Sequence, residues 1–234
     1  MDAAAINRFK QAAANSAATL LHDGMIVGLG SGTTATLAVA AIGRRVQEGL
    51  KIIGIPTWQK TADQARVLNI PLSTLENHPN IDVTIDGADE VETVTLNLTK
   101  GGGVNLLREK IVAVASSRMI VVVDETKVVG QLGQPLRRTS LSGAVRLEDN
   151  CEEVRENRAH PTLRTGSDGQ IFRTDGGHYI PDCALGPIQS PQSLQAELDS
   201  IVGVVEHGLF IRIAYQALVG GSQGVKILHR EIAP

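Results

Sequence analysis

The sequence has few aromatic residues and no excess of positive charge. Phe, Trp and Tyr make up 3% of the 234 residues, and 22 Lys and Arg stand against 25 Asp and Glu, giving a net charge of −3. Proteins that bind nucleic acids need a basic face and often use aromatic rings that stack on bases. The composition therefore predicts no nucleic-acid partner.

Cysteines are also scarce. Cys151 and Cys183 are too few for a disulfide framework, and they do not form the Cys-x-x-Cys spacing of zinc and redox sites. We predict that both are free thiols.

Long hydrophobic runs are missing as well. No apolar stretch approaches the roughly 20 residues that a membrane-spanning helix needs. Residues 1–21 are rich in alanine, but they include Arg8 and Lys10 and lack the continuous apolar core of a secretory signal. We therefore expect no membrane association and a cytoplasmic location. Hydrophobic residues still make up 42% of the chain, which at this length is enough to bury a substantial core.

The sequence does contain an alternation of short apolar runs and amphipathic segments. Predicted strands lie at 25–29, 51–55, 81–85 and 119–123, and predicted helices lie at 3–22, 33–46, 59–68 and 104–116. Strands that alternate with helices in this way predict an α/β fold with a mostly parallel sheet covered by helices.

The pattern changes after Gly130. Charged residues interrupt the chain between 137 and 158, and short alternating segments follow at 162–165, 170–174 and 178–180. Glycine-containing turns separate these segments, which is typical of hairpins. We predict a small inserted α+β domain at 131–207.

The last part of the chain becomes apolar again. The runs at 208–217 and 225–228 have the composition of buried strands. We expect 225–228 to rejoin the main sheet, so that the main domain consists of 1–130 and 208–234.

Three glycine-containing polar strings each lie where an apolar run ends. They are Gly30-Ser31-Gly32-Thr33-Thr34, Asp86-Gly87-Ala88-Asp89-Glu90 and Lys100-Gly101-Gly102-Gly103. Ligands of α/β proteins bind beyond the carboxyl ends of parallel strands, in concave sites with a few convergent polar groups. The strings therefore predict a site for a small anionic substrate.

The first string has several interpretations. Gly28-x-Gly30-x-Gly32 is similar to a dinucleotide fingerprint, but Thr33 stands where a later glycine would fall and no acidic residue ends the second predicted strand. Amides and hydroxyls of residues 31–34 at a helix N-terminus suit a single phosphate group, which we favour. The alternative is a tight turn with Thr33 as the helix N-cap.

The second string places Asp86 and Asp89 on either side of two small residues, which lets a ligand approach the backbone. In isolation an Asx turn with solvated charges is the simpler interpretation. A metal site is the other alternative, but none of the six histidines lies close to this string in sequence or forms a ligand pair of recognised spacing. We expect no metal.

The third string and the segment after it supply Lys100 and Glu109. A lysine can stabilise a developing oxyanion, and a carboxylate beside a carbon acid can move a proton between adjacent carbons, contributing roughly 10²–10⁴-fold. The alternative for Glu109 is an ion pair on a helix surface with Arg108 or Lys110.

The three strings, followed by Arg108-Glu109-Lys110, resemble ribose-5-phosphate isomerase type A. The resemblance continues through Asp124-Glu125-Thr126-Lys127 and through 203–210, and so covers nearly the whole chain. It implies interconversion of ribose 5-phosphate and ribulose 5-phosphate through an enediolate, without a metal or an organic cofactor. By the resemblance, Glu109 is the base that shuttles the proton.

The resemblance also implies a set of substrate-binding residues, which come from the three strings and one later lysine. They are Ser31, Gly32, Thr33, Thr34, Asp86, Gly87, Ala88, Asp89, Lys100, Gly101, Gly102, Gly103 and Lys127. Among these, the first string is our choice for the phosphate, and either Asp86 or Asp89 would assist ring opening. A homodimer or homotetramer is implied too.

The chain departs from the family pattern in the first string, where Ser31 and Thr33 stand in the opposite order to the usual one, a swap that should leave the function intact. Two further departures concern the pocket and the small domain. Trp58 stands where a small serine is usual; it could narrow the pocket or act as a lid, or it could be a partly exposed residue at a helix start. Residues 136–140 replace a segment that usually has a proline and a valine-glutamate strand. The last departure concerns the small domain and not the residues around Glu109.

Two other functions fit parts of the pattern. A non-catalytic sugar-phosphate sensor would normally carry a DNA-binding module, and only about one predicted helix precedes the first strand. An amino-sugar phosphate deaminase or a CoA transferase-like enzyme would change the reaction. The complete set of strings around Glu109 favours the pentose phosphate isomerase.

Overall fold

The computed structural model describes residues 2–133, 140–145 and 161–230. The first half contains α1 (Ala3–Ala18), β1 (Ile26–Leu29), α2 (Thr33–Gln47), β2 (Ile53–Pro56), α3 (Gln59–Val67), β3 (Val83–Asp86), β4 (Glu90–Glu92), β5 (Leu98–Thr99), α4 (Leu106–Val114) and β6 (Met119–Asp124). After a 3-10 turn at Glu125–Lys127 come β7 (Val128–Val129), β8 (Ser140–Val145), β9 (Pro161–Leu163), β10 (Pro181–Ala184), α5 (Pro191–Ser200), β11 (Val204–His207), β12 (Leu209–Phe210), β13 (Ala214–Gly221) and β14 (Gly224–His229).

The main sheet has six strands in the order β14-β13-β6-β3-β1-β2. The pairs from β13 to β2 are all parallel, and β14 pairs antiparallel with β13. Every residue of β6 is buried, as expected for a central parallel strand covered on both faces. The mostly parallel sheet of the sequence prediction is confirmed, and the run at 225–228 rejoins it as part of β14.

Helix α1 covers one face of this sheet and packs against α2, β6 and β13. Its contact face consists of alanines, and Ala13, Ala14 and Ala17 are fully buried. Small side chains let the helix lie close to the sheet, where Ile42 of α2 and Val122 of β6 belong to the same core cluster. This packing brings the exposed flank of α1 near the carboxyl end of β1.

Two smaller sheets accompany the main one. One is antiparallel and has the order β11-β8-β10-β9, which agrees with the predicted small α+β part. The predicted segments at 170–174 and 178–180 contribute isolated bridges, Thr165–Ile171 and Arg173–Tyr179, where continuous strands were expected. The other sheet, β12-β5-β4-β7, was not predicted, because strands of two or three residues are too short to show a period.

Two predicted elements are changed by residues with a positive φ. The run at 208–217 was expected to be continuous, but Arg212 has a φ of 57°, and the chain there passes from β12 in one sheet to β13 in another. The helix predicted at 104–116 starts only at Leu106, because Val104 has a φ of 70°, which is incompatible with a right-handed helix.

Some predictions lie outside the described residues. They include Cys151 and residues 136–139 of the divergent segment, whereas Ser140 begins β8 and Cys183 is buried on β10. The free state of both thiols and the domain limits at 131 and 207 stay predictions. No helix within the described ranges has both the length and the apolar character needed to cross a bilayer.

Candidate active site

A pocket lies beyond the carboxyl ends of the parallel strands. It is lined by Lys10, Ser31, Gly32, Thr33, Thr34, Gly87, Ala88, Asp89, Lys100, Gly101, Gly103, Glu109 and Lys127. All three polar strings therefore meet here, together with Glu109 and Lys127, which are distant in sequence. Of the residues expected to bind substrate, Asp86 and Gly102 do not line the pocket. Asp86 contacts Lys100 and Gly102 contacts Asp89, and both of these partners are lining residues.

The first string has to contain glycines where it passes Asp86. A Cβ atom on Gly30 would lie 2.2 Å from Asp86 Oδ1. The same oxygen accepts hydrogen bonds from the amides of Ser31 (3.1 Å) and Gly87 (2.7 Å). Gly32 has a φ of 89° and is the N-cap of α2, so the helix N-terminus opens into the pocket and the N-cap is not Thr33 as the structural alternative required.

Lys100 is the centre of the charge arrangement. Its Nζ lies 2.6 Å from the carbonyl oxygen of Gly87, 3.0 Å from Asp86 Oδ2 and 3.3 Å from Glu109 Oε2. The three charged side chains are almost fully buried, with exposures of 4% for Lys100, 0% for Asp86 and 4% for Glu109. In such an environment, paired charges interact much more strongly than in water.

Burial and pairing shift the protonation of two of these groups. Burial raises the pKa of Asp86 from 3.8 to about 7, although the charge of Lys100 opposes this and Glu109 adds to it. Burial alone would lower the pKa of Lys100, but the carboxylates of Asp86 and Glu109 outweigh it and raise this pKa above its ordinary value. Lys100 therefore remains an ammonium group at neutral pH.

Glu109 is held by both of its carboxylate oxygens. It lies in the first turn of α4, and Ser31 Oγ donates a 2.5 Å hydrogen bond to its Oε1 while Oε2 faces Lys100. The alternative interpretation of Glu109, an ion pair with Arg108 or Lys110 on a helix surface, is wrong, because Glu109 is buried and pairs with Lys100. Lys110 instead pairs with Glu206 and donates to the carbonyl of His207 at 2.8 Å.

Lys110 occupies the centre of a second polar cluster on α4. Ligand atoms of Asp199, Glu206 and His207 lie within 4.8 Å of one another, a spacing that could hold a cation. The ammonium group of Lys110 already supplies the positive charge there, through its ion pair with Glu206. Burial and the charge of Lys110 lower the pKa of His207. This cluster therefore anchors the back of α4 to β11.

Asp89 and the glycine string face the pocket together. The amide of Gly102 donates a 2.8 Å hydrogen bond to Asp89 Oδ2, and a Cβ on Gly102 would lie 2.9 Å from the other oxygen of Asp89. Asp89 is half-buried and reaches the pocket, whereas Asp86 is sealed beneath Lys100. The two aspartates, which are equivalent in the sequence argument, therefore occupy different environments.

Two lysines border the pocket as well. Lys127 is placed by the 3-10 turn at Glu125–Lys127, which Asp124 caps by accepting a 3.0 Å hydrogen bond from the amide of Thr126. Lys10 of α1 donates to Thr33 Oγ1 at 3.1 Å. Lys10 was missed by the sequence analysis, because its position here depends on how α1 packs across the sheet and no local motif signals it.

Trp58 does not border the pocket. It is the half-buried N-cap residue of α3, and the ammonium group of Lys60 lies 4.4 Å from the centre of its ring. The interpretation as a residue at a helix start therefore fits, and the lid does not.

Comparison with known proteins gives a consistent result. The family model of ribose 5-phosphate isomerase A (phosphoriboisomerase A) matches residues 53–224. The chain is 44% identical to the ribose-5-phosphate isomerase A of Synechococcus sp. (strain JA-3-3Ab), over 97% of this chain and 99% of that protein.

Solved structures agree with this. The ribose 5-phosphate isomerase A of Methanocaldococcus jannaschii is 36% identical with a TM-score of 0.89, covering 95% of this chain and 99% of the other. A D-ribose-5-phosphate isomerase in complex with phospho-erythronic acid is 34% identical with a TM-score of 0.91, covering 98% and 100%.

Proposed function

The chain belongs to the ribose-5-phosphate isomerase A family, and we propose that it interconverts ribose 5-phosphate and ribulose 5-phosphate in the pocket described above. The observation that carries this proposal is the pair of Glu109 and Lys100. One carboxylate and one ammonium group, 3.3 Å apart and both 4% exposed, border the same pocket. Aldose–ketose isomerisation needs this combination of a base and a stabilised oxyanion.

The chemistry follows from these two groups. The Glu109 carboxylate takes the proton from C2 of the open-chain aldose, the electron pair forms a C1–C2 double bond, and the C1 oxygen becomes an oxyanion. Lys100 stabilises that oxyanion. The O2 proton then passes to O1, Glu109 returns its proton to C1, and the product is a ketone at C2. No atoms are gained or lost, and the carboxylate is regenerated.

Of the three contacts that Lys100 makes, the one to Glu109 is the longest, at 3.3 Å. The contacts to Gly87 and Asp86 are shorter, at 2.6 Å and 3.0 Å. They hold the ammonium group in place. We infer that a substrate oxygen replaces Glu109 as the third partner of Lys100. This exchange frees Oε2 for the carbon-bound proton while Ser31 still orients Oε1.

We assign the phosphate to a different part of the pocket. Residues 31–34 present amides and hydroxyls at the N-terminus of α2, Lys10 donates to Thr33 there, and Lys127 lines the same pocket. A helix N-terminus with nearby lysines attracts a dianion through both the macrodipole and direct charge. The relative with bound phospho-erythronic acid supports a phosphorylated ligand for this fold.

Ring opening needs a group that can exchange a proton with the anomeric hydroxyl and the ring oxygen. Asp89 borders the pocket, whereas Asp86 is fully buried beneath Lys100. We assign ring opening to Asp89 and give Asp86 the role of holding Lys100 and the amide of Ser31. The amino-acid sequence alone does not distinguish the two aspartates.

The other functions considered are less well supported. A sensor would bind the sugar phosphate without needing a buried carboxylate beside the lysine, and family membership favours the isomerase over a deaminase or CoA transferase. We also propose a homodimer or homotetramer in the cytoplasm, supported by the family resemblance. Light scattering after size-exclusion chromatography measures the oligomer directly.

The test is turnover on a panel that contains ribose 5-phosphate, ribose, an amino-sugar phosphate and an acyl-CoA with a carboxylic acid acceptor. We expect rapid ketose formation from ribose 5-phosphate, weak ketose formation from ribose, and no reaction of the other two substrates. Glu109→Gln should remove this activity, and the matched control Glu48→Gln, an exposed residue at the end of α2, should retain it. Ammonia release or acyl transfer in place of ketose formation would overturn the proposal.

A further inference from the structure

Arg164 links the antiparallel sheet to the pocket. It follows β9 directly, its amide donates to the carbonyl of Ile180 at 2.8 Å, and its own carbonyl accepts from the amide of Phe172 at 2.8 Å. Both backbone polar groups of Arg164 are therefore hydrogen-bonded, which fixes the position from which its side chain extends.

The guanidinium group of Arg164 connects strand β10 with the glycine string at 101–103. Its Nε donates to Asp182 Oδ2 at 2.8 Å and its Nη2 pairs with Oδ1, forming a bidentate ion pair with β10. Its Nη1 donates to the carbonyl oxygen of Gly101 at 2.8 Å. Only a planar fork with several N–H groups can serve both acceptors at once, and a lysine cannot reproduce it.

The local hydrogen bonds of the glycine string are few: the amide of Val104 donates to the Gly101 carbonyl at 3.2 Å, and the side chain of Asn105 donates to the Gly103 carbonyl at 3.2 Å. Residues 101–103 have no side chains to pack, and Gly101 adopts a φ of 117°. Arg164 holds the Gly101 carbonyl on one side, and the Gly102 amide binds Asp89 on the other. The string follows Lys100 directly and binds Asp89 through the Gly102 amide, so its conformation affects the positions of Lys100 and Asp89.

We propose that Arg164, anchored by Asp182, is a positioning residue for the isomerisation. It fixes the 101–103 string and thereby sets Lys100 and Asp89 relative to Glu109. Neither Arg164 nor Asp182 is part of the pocket lining, so both act through the string. The inference rests on the proposed function, because it assigns a role within that reaction.

The experiment compares steady-state kinetics of Arg164→Ala, Arg164→Lys and Asp182→Asn on ribose 5-phosphate. Displacements near 1 Å in an active site cost up to about 100-fold, and we expect kcat/KM of Arg164→Ala to fall by about 10- to 100-fold. Arg164→Lys keeps the charge but should recover only part of this loss. The matched control is Arg173→Ala, which removes an arginine of the same segment that contacts Tyr179.

Added guanidinium ion separates positioning from general destabilisation. At concentrations below those that unfold the protein, it should restore part of kcat/KM in Arg164→Ala by occupying the vacated position between Asp182 and Gly101. Sodium chloride at equal ionic strength should not restore kcat/KM of Arg164→Ala. Glu109→Gln should remain inactive in the presence of either salt.

Two results would overturn the proposal. One is kcat/KM of both Arg164→Ala and Asp182→Asn within about twofold of the wild type. The other is a loss that parallels the fall in thermal stability and does not respond to guanidinium. If Arg164→Ala does not fold, Asp182→Asn decides by the same kinetic criterion. Wild-type turnover with an inactive Glu109→Gln would still establish the proposed function in either case.

Discussion

Ser31 Oγ donates a 2.5 Å hydrogen bond to Glu109 Oε1 across 78 positions of the sequence. This contact connects the string after β1 with the first turn of α4, and it leaves Oε2 directed at Lys100. It therefore fixes the orientation of the carboxylate that the proposed reaction uses as its base.

Ser31→Ala removes this hydrogen bond. A hydrogen bond to a charged group contributes about 1.5–3 kcal/mol, so we expect kcat to fall by at least about tenfold as the carboxylate loses its orientation. Steady-state kinetics on ribose 5-phosphate measure the kcat of Ser31→Ala. Ser222→Ala, which changes an exposed serine, is the control and should keep the wild-type kcat. An unchanged kcat would show that the bond does not orient Glu109.

Asp86→Asn tests the burial of the aspartate. A carboxyl whose pKa rises from 3.8 to about 7 on folding favours the folded state at low pH, and this contribution is lost as pH rises through that interval. The free energy of unfolding of the wild type, minus that of Asp86→Asn, should therefore decrease between about pH 4 and pH 7.

Urea denaturation at a series of pH values measures this difference. Asp63→Asn, which removes an exposed carboxylate paired with Arg66, is the control for loss of a carboxylate at the surface. A difference for Asp86→Asn that does not change with pH would contradict the shifted pKa.

Gly30→Ala tests the close approach of the first string to Asp86. The added Cβ would lie 2.2 Å from Asp86 Oδ1, an oxygen already held by two amides. We expect a loss of about 1–3 kcal/mol in the free energy of unfolding, typical of overpacking. Gly130→Ala, where nothing lies within 4 Å, is the control. Equal stability of the two variants would refute the steric argument.

Lys10→Ala and Lys127→Ala test the phosphate end of the pocket. Each should raise KM for ribose 5-phosphate by about 10- to 100-fold with a smaller effect on kcat, since a charged hydrogen bond contributes about 1.5–3 kcal/mol. The weak turnover of ribose, which lacks the phosphate, should not change. Lys60→Ala, which removes a cation beside Trp58, is the control. Equal losses on both sugars would place the phosphate elsewhere.

Much of the main sheet could be predicted from sequence, because buried parallel strands such as Met119–Asp124 are continuous apolar runs. The first two strings could be predicted to converge for a related reason, since they follow β1 and β3, whose carboxyl ends share one edge of the main sheet. The third string follows β5, which belongs to another sheet, so its place in the pocket does not follow from this rule. Asp86 and Asp89 remained indistinguishable, because their difference lies in burial beneath Lys100 and not in their residue type.

Other features had no local signal. Lys10 reaches Thr33 only because α1 packs across the sheet, and Arg164 reaches Gly101 only because β9 and β10 pair beside the pocket. Contacts between residues so far apart in sequence follow from tertiary packing, and neither composition nor periodicity predicts them.

The central claim is that Glu109 carries the proton between C2 and C1, and hydrogen exchange measures this directly. In D₂O, wild-type protein with ribose 5-phosphate should place deuterium at C1 of ribulose 5-phosphate, as followed by NMR. Glu109→Gln, folded and still binding the sugar phosphate, should show neither turnover nor exchange at C2. Exchange at C2 at the wild-type rate in Glu109→Gln would contradict the account and assign the base to another residue.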